Sequence, residues 1–217
     1  MFLINPYVFG GGGASVPDAV SFWNADNSTD DAFGANNATL VNGATYNASG
    51  KVNQAFSLDG LNDEVTAGTN AFSTAAVSIS FWIKPSSLPT DACLISYSKG
   101  YGSAAWTLYW HAASKLYFTF AGGTVLNSTS SLVAGTWSHV VITYDNSECK
   151  IYFDGVLEDT GGAVAPLHNV SDTLYLGSER GAFPIPGLYD ATGVWDEVLT
   201  QDHVTALYNG GAGLQPF

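Results

Sequence analysis

The sequence predicts an all-β protein, a sandwich of two antiparallel sheets, and three observations support this fold class. Segments with an apolar residue at every second position recur at intervals of about 10 to 15 residues. Gly, Asn, Asp and Ser fill the gaps between these segments. The chain has 217 residues, of which 46% are apolar and 13% aromatic, so it can bury one large core and is not a disordered chain.

Eight segments have the alternation and length of strands. In the clearest, residues 75–83, apolar side chains alternate with small polar ones. The other segments are residues 93–97, 106–110, 116–120, 138–144, 150–153, 173–176 and 187–195. Asp154 and Gly155 predict a two-residue hairpin turn. We expect six side chains to be buried between the sheets: Phe81, Ile83, Val140, Ile142, Ile151 and Phe153.

One short helix is predicted near the carboxyl terminus. Thr200 is a suitable amino-terminal cap, and Asp202 lies in the first turn, where its charge favours the helix dipole. Val204 and Leu207 share one face with Tyr208. Residues 209–211, Asn-Gly-Gly, are expected to end the helix.

Residues 1–16 differ from the remainder and predict an extended arm, followed by a single sandwich domain over residues 17–217. Its first nine residues are apolar, and a tether of four glycines, Gly10 to Gly13, follows them. Each large apolar side chain gains roughly 1.5–3 kcal/mol on burial, so we expect the arm to dock. It either folds back on its own domain or anchors in a partner protein or a second copy. The anchoring residues would be Phe2, Leu3, Ile4, Pro6, Tyr7 and Phe9.

The charge composition excludes several classes of partner. There are 19 acidic and 6 basic residues, a net charge of −13, and Arg180 is the single arginine. This argues against binding to nucleic acid or to an anionic membrane surface.

No apolar stretch is long enough to span a membrane, and the amino terminus lacks the basic region of a secretory signal. Cys93 and Cys149 are either small buried residues or, if their strands adjoin, a disulfide.

Four stretches in order along the chain resemble the laminin-G-like jelly-roll domains of the concanavalin-A-like lectin/glucanase superfamily. They are residues 38–46 and 50–63 with Phe-Ser-Leu-Asp-Gly, residues 78–85, residues 135–145 and 150–155 with Trp-Ser-His-Val-Val and Tyr-Phe-Asp-Gly, and residues 187–190 followed by 198–211. The resemblance implies a jelly roll.

The arm, with its Asn-Pro-Tyr, is similar to the starts of bacteriophage virion proteins. That similarity implies a particle-bound protein, assembled in the host cytoplasm, that contacts other virion proteins through residues 1–13 and forms a homo-oligomer.

Enzymatic chemistry has little support in the sequence. The superfamily includes glycoside hydrolases with Glu-x-Asp-x-x-Glu on one strand, and none of the five glutamates has this spacing. No Gly-x-Ser-x-Gly or His-Glu-x-x-His motif is present. We therefore expect a non-enzymatic protein.

The resemblance also implies one structural calcium ion, because many members hold one and carboxylates are preferred calcium ligands. The matching positions are Asp190, the carbonyl of Gly60, and Asn24 or Asp26. The alternative for Asp190 is an aspartate that accepts hydrogen bonds from nearby backbone amides.

The resemblance also implies sugar binding, and an aromatic cluster in residues 101–111 is the candidate binding site. Alternation places Trp106 and Trp110 on one face of a strand, with Tyr109 and His111 on the other. One face must be core. We take Tyr101, Trp106, Trp110 and Arg180 as candidate ligand contacts, with simple packing as the alternative. The predicted function is a virion adhesion or decoration protein that binds host surface glycan; the alternative is an extracellular carbohydrate-binding module or hydrolase of the same fold.

Overall fold

The computed structural model describes residues 15–68, 76–98, 104–112, 115–120, 123–145, 147–162 and 173–214. The predictions for Tyr101 and for the arm residues Phe2, Leu3, Ile4, Pro6, Tyr7 and Phe9 lie outside these described residues. Of the predicted arm, residues 15 and 16 are described, and Val16 is buried against the domain.

Fifteen strands and one α-helix form within the described ranges. Numbered along the chain, the strands are β1 (Ser21–Trp23), β2 (Thr39–Val41), β3 (Thr45–Asn47), β4 (Ala55–Leu58), β5 (Glu64–Ala67), β6 (Val77–Pro85), β7 (Asp91–Ser98), β8 (Ala104–His111), β9 (Lys115–Phe120), β10 (Gly123–Asn127), β11 (Ser138–Tyr144), β12 (Glu148–Phe153), β13 (Val156–Gly162), β14 (Thr173–Leu176) and β15 (Gly187–Trp195). The helix α1 spans Gln201–Tyr208.

The strands pair into two antiparallel sheets. The first sheet has the order β13-β12-β11-β6-β15-β4-β3, and β1 also pairs with β15. The second sheet has the order β10-β9-β8-β7-β14-β5-β2. The predicted all-β sandwich with one short carboxyl-terminal helix is therefore confirmed.

The main core lies between the two sheets. In β6, Val77, Ile79, Phe81 and Ile83 face inward, as the period-two pattern predicts. They meet Leu108 and other inward side chains of the second sheet. All six residues predicted to be buried are buried: Phe81, Ile83, Val140, Ile142, Ile151 and Phe153.

The two local predictions with a turn or cap signal are also confirmed. Asp154 and Gly155 join β12 to β13, and both have positive φ angles, 48° and 82°, as a tight hairpin turn requires. At α1, the Thr200 hydroxyl caps the His203 amide, and Asn209 ends the helix in the left-handed conformation.

A second apolar cluster covers the outer face of the first sheet. Trp82, Val141 and Trp195 point away from the main core and pack against Val204 and Leu207 of α1. The indole nitrogen of Trp195 also donates to the Pro17 carbonyl at 2.9 Å. The outer face of the first sheet is thus a buried interface within the domain.

The cysteines are not paired. Cys93 lies in β7 of the second sheet and Cys149 in β12 of the first, and both are buried and free, so the disulfide alternative is excluded. No helix in the described part of the chain has the length and apolarity needed to cross a membrane.

Candidate functional site

A cluster of partly exposed aromatic rings lies on the outer face of the second sheet. The rings of Tyr109 and Tyr117 stack with centroids 5.2 Å apart. Phe183 meets Tyr109 edge-on at 5.9 Å, and His111 meets Tyr117 edge-on at 6.5 Å. We call these four residues the aromatic patch. Phe183 is 40% exposed, so its ring is accessible to a ligand.

Strand register brings three of the four rings together. Tyr109 of β8 lies opposite Tyr117 of β9, and His111 is two residues along the same face. The intervening residues Trp106, Leu108 and Trp110 point into the core.

The burial of the two tryptophans contradicts their predicted role as ligand contacts. Trp106 is 1% exposed and stacks on Tyr97 with centroids 5.9 Å apart. Trp110 is 5% exposed, and its indole nitrogen donates to the Pro89 carbonyl at 3.0 Å. Neither ring has a face available to a sugar, so the prediction for them is wrong and the packing alternative holds.

The loop between β14 and β15 supplies the fourth ring. Glu179 and Ala182 exchange two backbone hydrogen bonds, of 2.8 and 3.0 Å, which close a tight turn around Arg180 and Gly181. The Phe183 carbonyl accepts from the Cys93 amide at 2.8 Å, which fixes the loop to β7. Arg180 and Phe183 have φ angles of 53° and 52°, a conformation that non-glycine residues seldom adopt and that clusters at functional sites.

Two buried glutamates, which we call the acid pair, lie beneath this loop. Glu64, at the start of β5, is 9% exposed and accepts a hydrogen bond from the Ser178 hydroxyl. Glu179 is 4% exposed and accepts one from the Tyr109 hydroxyl. The Gly181 amide donates to Ser178 Oγ at 2.9 Å, so the turn also positions the hydroxyl that binds Glu64. The aromatic patch and the acid pair are therefore one connected structure.

Nearby carboxylates act on the ionisable groups of this face. Burial and the charges of Glu179 and Glu64 hold the pKa of the Cys93 thiol well above its usual value. Burial, followed by the hydrogen bond to Glu179, raises the pKa of Tyr109. Burial and the charges of Asp91 and Glu179 are among the causes that raise the pKa of Tyr117. Each aromatic hydroxyl therefore stays protonated and can donate a hydrogen bond at neutral pH.

Arg180 is an exposed side chain next to this structure. It occupies the turn between Glu179 and Gly181. Among the predicted ligand contacts that the structure describes, Trp106 and Trp110 are buried, and Arg180 lies in the same loop as the exposed ring of Phe183.

The family comparison covers this site. Residues 59–205 match the model of the laminin-G type described as the concanavalin A-like lectin/glucanases superfamily. The chain belongs to the concanavalin A-like lectin/glucanases superfamily. The matched segment includes both glutamates of the acid pair and all four residues of the aromatic patch. No curated protein sequence matches this chain.

Solved structures of several sugar-binding proteins share the fold. Domain 4 of the extracellular arabinanase AbnA from Geobacillus stearothermophilus, in complex with arabinotriose, superposes with a TM-score of 0.71 at 19% identity over 87% of this chain and 97% of that domain. The Trypanosoma rangeli sialidase gives a TM-score of 0.75 at 18% identity, over 97% of this chain and 36% of the sialidase. The ligand-binding domain of botulinum neurotoxin serotype D in complex with N-acetylneuraminic acid gives 0.70 at 16% identity, over 88% and 50%. At these low identities, the superpositions show a shared fold and nothing beyond it.

The predicted calcium ligands lie elsewhere in this lectin-like sandwich, around Asp190 on β15. Its carboxylate accepts hydrogen bonds from the Val52 amide at 2.8 Å and the Ala191 amide at 2.6 Å. Burial raises the pKa of Asp190 to about 7, and the charge of Asp26 adds to the rise. Asp26 itself accepts from the Gln54 amide at 3.0 Å.

The structure brings two of the predicted calcium ligands near each other. Asp190 and Asp26 interact electrostatically, whereas Gly60 packs against Pro186 and Asn24 directly follows β1. Calcium takes six to eight oxygen ligands, and the amides around Asp190 already serve its carboxylate. Among the described residues no group of three or more His, Cys, Asp or Glu side chains could hold a metal. The described residues therefore do not form a calcium shell by themselves, and the ion stays a prediction.

The sequence contained some of the information needed to find the aromatic patch. Alternation placed Tyr109 and His111 opposite the two tryptophans, and the structure shows that theirs is the outward face. Tyr117 belongs to a predicted strand and could have been found by its pairing with Tyr109. Phe183 and the acid pair had no signal, because their position depends on how one loop docks on β7.

Proposed function

We propose that this protein is a non-catalytic adhesion module that binds carbohydrate through the aromatic patch. The observation that carries the proposal is a partly exposed group of aromatic rings, held by strand register and a strained turn, beside hydroxyl donors and carboxylates. Sugars stack their C–H faces on such rings and use polar groups for their hydroxyls. Membership of a lectin-like superfamily supports the same function.

The hydrogen bonds that the acid pair accepts from the protein support a binding role over hydrolysis. A glycosidase needs two carboxylates on either side of the scissile bond, about 5–5.5 Å apart in retaining enzymes or 6.5–9.5 Å in inverting enzymes. Glu64 and Glu179 are buried, and each accepts a hydrogen bond from a hydroxyl of the protein. In our proposal these carboxylates position Ser178 and Tyr109 and do not attack substrate.

The binding experiment compares two phenylalanines of similar exposure. Phe183, in the patch, is 40% exposed, and Phe33, in a loop next to the first sheet, is 37% exposed. Both Phe→Ala variants and the native protein are applied to an array of neutral and acidic glycans. We expect Phe183→Ala to weaken binding at least tenfold and Phe33→Ala to leave it unchanged. Equal binding by all three proteins, or no binding by the native protein, would contradict the proposal.

We also propose that the module is carried on a virus particle, as a homo-oligomer, with residues 1–13 as the anchor. Two features of the sequence support this: the apolar arm with its glycine tether, and a net charge of −13, which keeps neighbouring copies apart. The test compares the full chain with one that lacks residues 1–13, by light scattering and by co-sedimentation with particles from the source. Loss of attachment with an intact circular dichroism spectrum is expected. Identical behaviour as soluble monomers would contradict the anchor.

A second candidate is a carbohydrate-binding module of an extracellular enzyme. The similarity to domain 4 of the arabinanase AbnA, whose length this chain nearly spans, favours it. In this case the module binds polysaccharide such as arabinan and shows no affinity for particles. Release of reducing sugar by the purified chain would instead favour a hydrolase.

A further inference from the structure

The acid pair gives the aromatic patch a charge preference, and this point rests on the proposed carbohydrate-binding function. We infer that the site selects uncharged glycans and rejects those with a carboxylate, such as sialic acid or uronic acids. Two structural neighbours were solved with sugars that differ in charge: domain 4 of the arabinanase AbnA with neutral arabinotriose, and the neurotoxin domain with the acidic sugar N-acetylneuraminic acid. The fold is therefore compatible with either preference, and local residues must decide.

The first step of the argument is the position of the carboxylates. Glu179 is bonded to the hydroxyl of Tyr109, the central ring of the patch. Asp91 lies on the same face, with its carboxylate 3.4 Å from Nε2 of His111. A ligand on the aromatic patch therefore lies near two acidic groups, Glu179 at Tyr109 and Asp91 at His111.

The second step is that the acid pair is held by neutral donors. The described hydrogen bonds to Glu64 and Glu179 come from the hydroxyls of Ser178 and Tyr109, which carry no compensating charge. These carboxylates also act on Cys93, whose pKa they raise. Their field therefore extends across the strands beneath the patch. Like charges repel more strongly where water is largely excluded.

The third step concerns Arg180, the single arginine of the chain. Arg180 is exposed at the tip of a two-residue turn and is flanked in sequence by Glu179. Lys115 is a second cation on this face, opposite His111, and its ammonium donates to the Thr129 carbonyl. The three carboxylates of Glu64, Glu179 and Asp91 outnumber these two cations.

Hydroxyl groups of neutral sugars suit the same arrangement. A carboxylate accepts hydrogen bonds from sugar hydroxyls, and Asp91 is exposed enough to do so. Phe183, which is 40% exposed beside Tyr109, offers apolar surface to the C–H face of a pyranose or furanose. Aromatic surface beside carboxylate acceptors thus matches an uncharged polyol better than an anion.

The test uses polysaccharides that differ in a carboxylate, with the full-length protein. Galactan is compared with polygalacturonic acid, and lactose with sialyllactose, by isothermal titration and affinity electrophoresis at low salt. We expect the acidic member of each pair to bind at least tenfold more weakly. The difference in affinity between the neutral and the acidic glycan should become smaller as salt is added, because ions screen the repulsion.

Two variants connect the preference to the acid pair. Glu179→Gln removes one charge and keeps an oxygen that can accept from Tyr109. This variant should therefore show a smaller difference in affinity between neutral and acidic glycans. Glu197→Gln makes the same change of net charge at an exposed position after β15 and should leave this difference unchanged. Equal or tighter binding of the acidic members by the native protein overturns the inference and leaves the proposed function intact. Absence of binding to every neutral and acidic glycan overturns both.

Discussion

The two sheets of this sandwich have outer faces that are both rich in aromatic residues, and they serve different purposes. On the first sheet, Trp82 and Trp195 are buried beneath α1 and the chain around Val16, where they form a second core. On the second sheet, Tyr109 and Phe183 remain partly exposed beside buried carboxylates. Aromatic content alone therefore does not identify a binding face; exposure combined with nearby charge does.

The largest expected effect is a loss of protein stability, which should be much greater for a substitution in the outer face of the first sheet than for one in the outer face of the second. Trp195 is fully buried, contacts Phe22 edge-on at 6.4 Å and donates to Pro17. We expect Trp195→Ala to lower the free energy of unfolding by about 3–5 kcal/mol, measured by urea denaturation. Tyr117→Ala, on the partly exposed face, should reduce stability far less and abolish most glycan binding. A similar loss of stability in both variants would refute the distinction between the faces.

A pH experiment sharpens the description of the first outer face. Burial lowers the pKa of His139 to about 3, and its imidazole packs against Trp82 with centroids 5.0 Å apart. An unfolded histidine has a pKa of about 6.5, so between these values the folded state binds fewer protons than the unfolded state. The contribution of His139 to stability is therefore complete above pH 6.5 and is lost as the pH falls toward 3. The free energy of unfolding changes by up to about 5 kcal/mol across this pH range if His139 remains neutral and buried throughout.

The contribution of Asp190 to stability changes with pH in the opposite direction to that of His139. Its pKa is raised to about 7, so its contribution to stability is complete below the unfolded value of about 3.9 and is lost as the pH rises through 7. Between pH 4 and 6.5 the two groups oppose each other, and the native protein should show a shallow stability profile. In His139→Gln, stability should fall steadily from pH 4 to 7. Parallel profiles for the variant and the native protein, from urea titrations at each pH, would contradict this account.

Much of the fold followed from local sequence signals. The hairpin at Asp154 and Gly155 and the Thr200 cap were predictable because each depends on residues close in the chain. The alternation in β6 predicted its inward residues, since one face of a long strand must be buried. Short strands such as β1 and β2 were not predicted as strands, because three residues cannot show a period and form only through pairing partners.

The site was harder to predict than the fold. In β8 both faces carry large aromatic residues, and alternation gives two sets without stating which is inward. The more apolar set, Trp106 with Leu108 and Trp110, became core. The burial of Glu179 could not be foreseen, because it depends on the contact between the Phe183 carbonyl and β7.

A smaller effect tests the coupling between the aromatic patch and the acid pair. Tyr109→Phe removes the hydroxyl that donates to buried Glu179, and an unsatisfied buried acceptor costs about 1–3 kcal/mol. Glu179→Gln should be milder, since the amide oxygen can still accept. We expect the double variant to lose less stability than the sum of the two single variants, with a coupling of about 1 kcal/mol in urea denaturation. Strict additivity would show that the two side chains act independently.

The smallest expected effect concerns calcium near Asp190. The described region offers two carboxylates, Asp190 and Asp26, so any site there should be weak, and millimolar calcium should stabilise the protein by about 1 kcal/mol at pH 8. At pH 5 the effect should disappear, because Asp190, with a pKa of about 7, is then protonated and cannot bind a cation. Magnesium at the same concentration controls for ionic strength. If thermal unfolding at pH 8 is identical with calcium, magnesium or a chelator, then the backbone amides of Val52 and Ala191 alone balance the Asp190 charge, and no calcium ion contributes to this fold.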